Sequence, residues 1–215
     1  MLMKSLKYFR YFFYLLYNWD ARIAFHIIRN EIRGEKRYNI DSTGSDSLKN
    51  LEKKGIDITH ATIYMPVSYD LLEKFFTEIK IENFNHFLDI GFGKARAICV
   101  AAAYGVKKIS GVELSKELYT AGRENIAVCK EKYPSANFSI YNNDAFYFDI
   151  EDDVDCIFMF NPFDGIIMSG VMENIQISLE NNPRKITIIY VNPLEKHLLL
   201  EYDYKEIFHF QNMKY

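Results

Sequence analysis

Residues 88–96 read Leu88-Asp89-Ile90-Gly91-Phe92-Gly93-Lys94-Ala95-Arg96, and the setting of this stretch decides the fold. It joins an apolar strand-like run, His86 to Ile90, to a helical pattern from Ala95 to Tyr104. Gly91 and Gly93 let the chain turn tightly and let a ligand approach the main chain. Ala95 is small enough for the helix to pack close to the strand, and the helix start presents free N–H groups.

Outward from this loop, strand and helix patterns alternate. Lys108 to Glu113 reads as a strand, and Ser115 to Lys130 as a helix with Ser115 as its N-cap. Glu117 in the first turn favours the helix dipole. Asn137 to Tyr141 is a strand, Val154 to Phe160 a continuously apolar central one, and Phe163 to Leu179 a helix. Lys185 to Asn192 is another buried strand, Leu194 to Glu201 a short helix, and Glu206 to Phe210 a last strand. Such alternation predicts a doubly wound, mostly parallel sheet covered on both faces. Ligands bind such sheets outside the carboxyl ends of the strands.

Upstream, Met65-Pro66 opens a helix whose apolar face is Leu71, Leu72, Phe75, Phe76 and Ile79. Residues 1–37 read as helical, from the spacing of Leu6, Phe9, Phe13 and Leu16, with Gly34 as the stop. From Tyr38 to Thr62 the chain is polar and irregular, apart from a short helix at Ser47 to Lys54. The expected organisation is a helical extension and cap over residues 1–62 and one α/β domain over 63–215.

Composition narrows the function classes. The chain has 215 residues, is 49% hydrophobic and carries a net charge of −3, which argues against general disorder and against nucleic acid as a partner. Charge is uneven, because residues 1–37 hold eight basic and three acidic residues, leaving a net −8 on the rest. Cys99, Cys129 and Cys156 are far apart and odd in number, so they read as reduced, buried thiols without metal-ligand spacing. The five histidines are scattered, and no metal is expected. The apolar run Tyr11 to Tyr17 is too short for a membrane span and lacks a cleavage site after it. A cytoplasmic protein is expected, soluble or peripheral, with its oligomeric state left open. Residues 1–20 fit either an interfacial membrane helix or a helix docked on the body, the commoner fate of an amphipathic helix.

Two cofactor classes use a loop like 91–95. The dinucleotide fingerprint needs a third glycine where Arg96 stands, and Asp89 at the strand end suits an ammonium better than a diphosphate. Glu113 closes the second strand 20 residues after Gly93, where a ribose-binding carboxylate belongs. Asp144 follows the third strand in Asn142-Asn143-Asp144-Ala145-Phe146, and Asn161-Pro162-Phe163 ends the fourth.

Over roughly residues 62–210, this series of strand ends resembles the class I S-adenosylmethionine-dependent methyltransferases, with Ala95 in place of the usual third glycine. The resemblance implies a Rossmann-like fold with S-adenosyl-L-methionine as cofactor. It implies that Asp89, Gly91 and Gly93 line the methionine moiety, that Glu113 binds the ribose, and that Asp144, Ala145 and Phe146 flank the adenine. It also implies a sixth and a seventh strand, although only five residues follow Phe210. Within the class, the chain is similar to bacterial relatives of non-SET protein-lysine methyltransferases. The similarity lies in Thr62-Ile63-Tyr64-Met65-Pro66-Val67, Phe160-Asn161-Pro162-Phe163 and Tyr38-Asn39-Ile40-Asp41-Ser42-Thr43-Gly44.

Methyl transfer is an in-line displacement at an already activated sulfonium, so the protein has to orient the acceptor and leave it a free lone pair. Asn161 is the candidate to accept an N–H from an acceptor amine, Phe163 to pack on that acceptor, and Tyr64 to close the cofactor pocket. A protein lysine is the leading acceptor, with a small molecule or glycan, or a non-catalytic cofactor-binding scaffold, as alternatives. Lys94 and Arg96 read either as solvated helix-start residues or as partners of an acidic group. Asn192-Pro193 either lines the acceptor cleft or stops the fifth strand.

Overall fold

The computed structural model describes residues 8–9, 11–13, 15–17, 20–43, 66–160 and 163–209. Five strands, β1 (His86–Ile90), β2 (Lys108–Val112), β3 (Asn137–Tyr141), β4 (Cys156–Phe160) and β5 (Thr187–Val191), form one sheet in the order β3-β2-β1-β4-β5. Every pairing is parallel. The helices are α1 (Ala21–Tyr38), α2 (Tyr69–Ile79), α3 (Arg96–Ala103), α4 (Lys116–Lys132), α5 (Gly165–Asn181) and α6 (Lys196–Glu201). The expected doubly wound α/β architecture is therefore present. Its switch point lies between β1 and β4, where the chain leaves β3 and crosses to the other half of the sheet.

Side-chain alternation along the strands separates two cores. Phe87 and Phe158 point to one face, where they pack with Tyr38, Tyr69, Phe76 and residues of α3. Leu88, Ile90, Ile157 and Met159 point to the other, against Met168, Met172 and Leu198 of α5 and α6. β1 is buried along its whole length, which is why it reads as an apolar run. Ser115 caps α4 as expected, accepting from the Leu118 N–H. All three cysteines are buried free thiols.

Three expectations are corrected. The N-terminal helical stretch is interrupted at Asp20, whose extended backbone and side chain start a new helix by accepting from the Arg22 and Ile23 N–H groups. Gly34 does not stop that helix, which ends at Asn39 in the left-handed conformation. Gly34 is instead where the helix meets the Tyr69 ring, since a Cβ there would lie 2.1 Å from Tyr69 Cδ2 and 2.2 Å from Cγ. The third correction concerns Glu206 to Phe210, because residues 206–209 are not a strand. Ile207 and Phe208 are exposed there, and the sheet order ends at β5, which is the sheet edge among the described residues. The expected helix at 47–54 and the start of the next at Met65 lie outside the described residues; α2 begins at Tyr69 with Ser68 as its N-cap.

Gly34→Ala tests the close approach. Alanine gains about 1 kcal/mol in helix propensity, but overpacking a buried ring costs about 1–3 kcal/mol or more. The ring is also stacked on Tyr38 at 5.6 Å, so it cannot swing away freely. A net loss of stability is expected in urea unfolding, against the gain that an exposed helical glycine would show.

Candidate active site

The loop after β1 is shaped by three consecutive departures into left-handed backbone: Gly91 (φ 78°), Gly93 (φ 56°) and Ala95 (φ 63°). Gly91 and Phe92 donate their N–H groups to the Val112 carbonyl at 2.9 and 3.3 Å, which ties the loop to the end of β2. Ala95 tolerates a conformation that favours glycine because its N–H closes a turn on the Phe92 carbonyl at 2.8 Å.

Asp89 and Glu113 sit at the carboxyl ends of neighbouring strands, and both are buried. Glu113 Oε2 accepts from the Gly93 N–H at 2.9 Å and Oε1 from the Ser115 N–H at 2.8 Å. Each oxygen keeps further lone-pair capacity for a hydroxyl donor. Burial raises the Glu113 pKa, and the main-chain N–H groups of Ser115, Gly93 and Leu114 partly offset this. Asp89 is only 3% exposed, and its carboxylate accepts no hydrogen bond from a described residue. Burial, and secondly the negative charge of Glu113, hold its pKa well above the usual carboxylate range. A buried carboxylate without a donor is an incomplete arrangement, and a cation completes it.

After β3, Asn142 Nδ2 donates to the carbonyls of Glu113 and Leu114, joining the ends of β2 and β3. Asp144 caps a short 3-10 turn, Ala145–Tyr147, by accepting from the Phe146 N–H at 2.9 Å. Ala145 is buried in the second core. The Phe146 ring lies on α5, where a Cβ at Gly170 would come within 2.5 Å of it. Phe163 is half-buried against the second core, just before the Asp164 N-cap of α5. Asn161 and Tyr64 lie outside the described residues. Asn192 is exposed with φ 50° directly after β5.

What the sequence left open at Arg96 the fold decides. Its guanidinium is buried and forms a two-pronged pair with Glu31 of α1, Nη1–Oε1 2.8 Å and Nη2–Oε2 2.5 Å. It also donates to Ser42 Oγ at 2.9 Å and the Val67 carbonyl at 2.7 Å, and it stacks 4.0 Å above the Tyr69 ring. Glu35 accepts from the Ser42 and Thr43 N–H groups and from the Tyr8 hydroxyl. Asn125 of α4 bridges the Asp41 main chain and the Lys94 carbonyl. Segment 41–43 is thereby sewn to the glycine loop from two sides. Spacing alone contained one signal for this: Glu31 and Glu35, four apart, are the only acids between Ala21 and Tyr38.

The one described trio of His and acids close enough to hold a metal, His86, Glu151 and Asp153, lies at the opposite, amino edge of the sheet. Lys108 Nζ already pairs with two of its members, 2.7 Å from Asp153 and 3.1 Å from Glu151.

The donor set at the carboxyl edge fits the cofactor implied by the resemblance. Asp89 matches an ammonium, Glu113 matches vicinal hydroxyls, and the left-handed glycines leave main chain open to close approach.

No family model matches the chain, and no curated protein matches it. Solved structures do. One is a SAM-dependent methyltransferase from Geobacter sulfurreducens in complex with S-adenosyl-L-homocysteine, at 16% identity over 58% of this chain and 48% of its own, with a TM-score of 0.46. A SAM-dependent methyltransferase from Thiobacillus denitrificans, in complex with the same ligand, is similar at 16% identity over 67% of this chain and 55% of its own, TM-score 0.48. Precorrin-6y C5,15-methyltransferase from Geobacter metallireducens is similar at 14% identity over 64% of this chain and 70% of its own, TM-score 0.48. The chain thus spans about half the length of the first two. Likeness at this level is one of fold, and residue roles do not pass across it.

Proposed function

We propose that this protein is an S-adenosylmethionine-dependent methyltransferase acting on an amine, with a protein lysine as the acceptor. The carrying observation is Asp89, a buried carboxylate that accepts no hydrogen bond from a described residue, beside a glycine loop that Glu113 anchors through the Gly93 N–H. The cofactor, when bound, supplies an activated methyl group on a sulfonium. Asp89 takes its ammonium, Glu113 its ribose hydroxyls, and the Asp144–Ala145 turn borders the adenine.

At the acceptor side, Asn161 accepts an N–H from the incoming amine and Phe163 packs on its carbon chain. Tyr64 covers the pocket. A lysine has a reference pKa of about 10.4 and must lose a proton before attack, so exclusion of water around Phe163 favours the neutral amine. The basic, aromatic extension over 1–62 and the domain over 63–215 act as one unit in this reading, because Arg96 and Asn125 join them.

Calorimetry with S-adenosylhomocysteine tests the cofactor, and labelled methyl transfer into lysate, split into protein and small-molecule fractions, tests the acceptor. Label in protein, lost on Asn161→Ala, is expected. Label confined to small molecules would replace the acceptor, and absence of homocysteine-ligand binding would remove the enzyme reading altogether.

The raised pKa of Asp89 adds a pH signature. The ligand's ammonium binds the carboxylate form, so affinity strengthens as pH rises through the Asp89 pKa and weakens below it. Titration upward from the ordinary carboxylate range should show this slope, with protons released on binding at the acid end. A flat profile in buffers of different ionisation enthalpy would contradict the assignment of Asp89.

A further inference from the structure

Helix α1 distributes its charge by face. Its two acids, Glu31 and Glu35, are both buried on the inner side. Arg33 and Arg37 turn onto Asp70 and Glu73 of α2. The outer side carries Arg22, Phe25, Arg29, Ile32 and Lys36, which recur at steps of three and four and so fall on one stripe, with the exposed His26, bonded to Asn30, beside it. All five are exposed, Phe25 at 64% and Ile32 at 44%. Cation and apolar residue alternate along the stripe. Among the described residues, none of its three cations has a carboxylate partner.

We infer that this outer face of α1 docks on an anionic lipid surface. Cationic side chains reach headgroup phosphates while Phe25 and Ile32 enter the acyl boundary, the arrangement of a helix lying in a membrane interface. The preceding helical residues extend the surface, with Phe13 and Tyr17 exposed and Tyr8 bonded to Glu35, so that this segment folds back along α1. Charge argues for lipid over a second copy, because a twofold contact through this stripe would set Arg22, Arg29 and Lys36 against their own kind. The exposed Ile32 argues for lipid over a nucleic acid, because a branched aliphatic chain pairs with no phosphate and is a poor stacking surface for a base. No described helix is long and apolar enough to cross the membrane, so the contact is peripheral. The inner face of the same helix holds Arg96 through Glu31, so one helix links the docked surface to the glycine loop.

Co-sedimentation of the full chain decides the matter, with vesicles of phosphatidylcholine alone and of phosphatidylcholine with roughly one-third phosphatidylglycerol. The anionic vesicles should retain about tenfold more protein. Phe25→Ser/Ile32→Ser and Arg22→Gln/Arg29→Gln/Lys36→Gln should each abolish most of that excess, with an unchanged circular dichroism melt. Failure to bind either vesicle would overturn the inference, as would unchanged binding by the Phe25/Ile32 variant. A dimer in gel filtration that both variants dissolve would assign the face to a second copy instead. Retention by a duplex oligonucleotide in place of vesicles would assign it to nucleic acid.

Discussion

Arg96→Ala is expected to cost about 3–5 kcal/mol of folding stability, because it leaves the Glu31 carboxylate buried without its countercharge. Domains of ordinary size hold only about 5–15 kcal/mol in total, so the variant should be marginal at 37 °C. The loss is larger than for a surface pair because both partners are nearly inaccessible, at 3% and 5% side-chain exposure. Ser42 Oγ and the Val67 carbonyl lose a donor at the same time, and the Tyr69 ring loses the cation stacked on it. The control is Arg96→Met/Glu31→Leu, which removes both charges and fills the volume. That double variant should recover most of the loss, leaving about 1–3 kcal/mol for the hydrogen bonds that remain broken. Urea unfolding of Arg96→Met, Glu31→Leu and the double variant measures the coupling directly. A loss below about 1 kcal/mol for Arg96→Ala would mean that the extension is not clamped through this pair. The same clamp predicts that deleting residues 1–43 leaves an unstable remainder rather than a competent domain, since Arg96 would then be the unpaired charge.

This contact explains why the chain could be read in some places and not in others. β1, β2 and β3 match their expected spans within a residue, because each is a short apolar or alternating run closed by turn residues, and such local patterns survive folding. The carboxyl-edge acids were equally legible, since parallel strands place successive strand ends on one edge whatever the packing beneath. Arg96 was not, because its partner lies 65 residues away on an element whose docking no local pattern encodes. Gly34 misled for a related reason. A glycine near a helix end ordinarily stops it, and only the Tyr69 ring beneath shows why this one is interior. Glu206 to Phe210 has strand composition, but β-propensity records fitness for a half-buried pleated surface, and among the described residues 206–209 pair with no strand. Asp144 illustrates a third case. Its position was legible, yet the same carboxylate that borders the proposed adenine site also caps the turn through Phe146.

Asp89→Asn should move stability and affinity in opposite directions. In the folded chain the Asp89 carboxylate is buried, lacks a donor among the described residues and lies under the negative influence of Glu113. Folding therefore carries the cost of a charge that the protein does not satisfy. An acid whose folded pKa is raised weakens the fold progressively as pH rises from its unfolded pKa towards the folded one, so replacing it by a neutral amide should stabilise the free protein at neutral pH, by on the order of 1 kcal/mol. The amide keeps the size and one acceptor but cannot pair with an ammonium. Affinity for S-adenosylhomocysteine should accordingly fall by roughly a hundredfold, or about 2.8 kcal/mol. Glu113→Gln provides the contrast. Both Glu113 oxygens already hold main-chain N–H groups, and an amide nitrogen facing Gly93 or Ser115 leaves one of those donors unpaired. That variant should lose stability and affinity together, by about 1–3 kcal/mol in stability. Thermal melts with and without ligand separate the two patterns. A ligand-induced rise in melting temperature that persists in Asp89→Asn would show that the carboxylate is not the ammonium's partner. A destabilised Asp89→Asn would show that the folded protein already satisfies the charge, and a strand end with a filled carboxylate has no reason to hold a cationic ligand. Stability surrendered at a site the fold could have neutralised is the signature of a binding residue, and these two acids differ in it although they sit on adjacent strands.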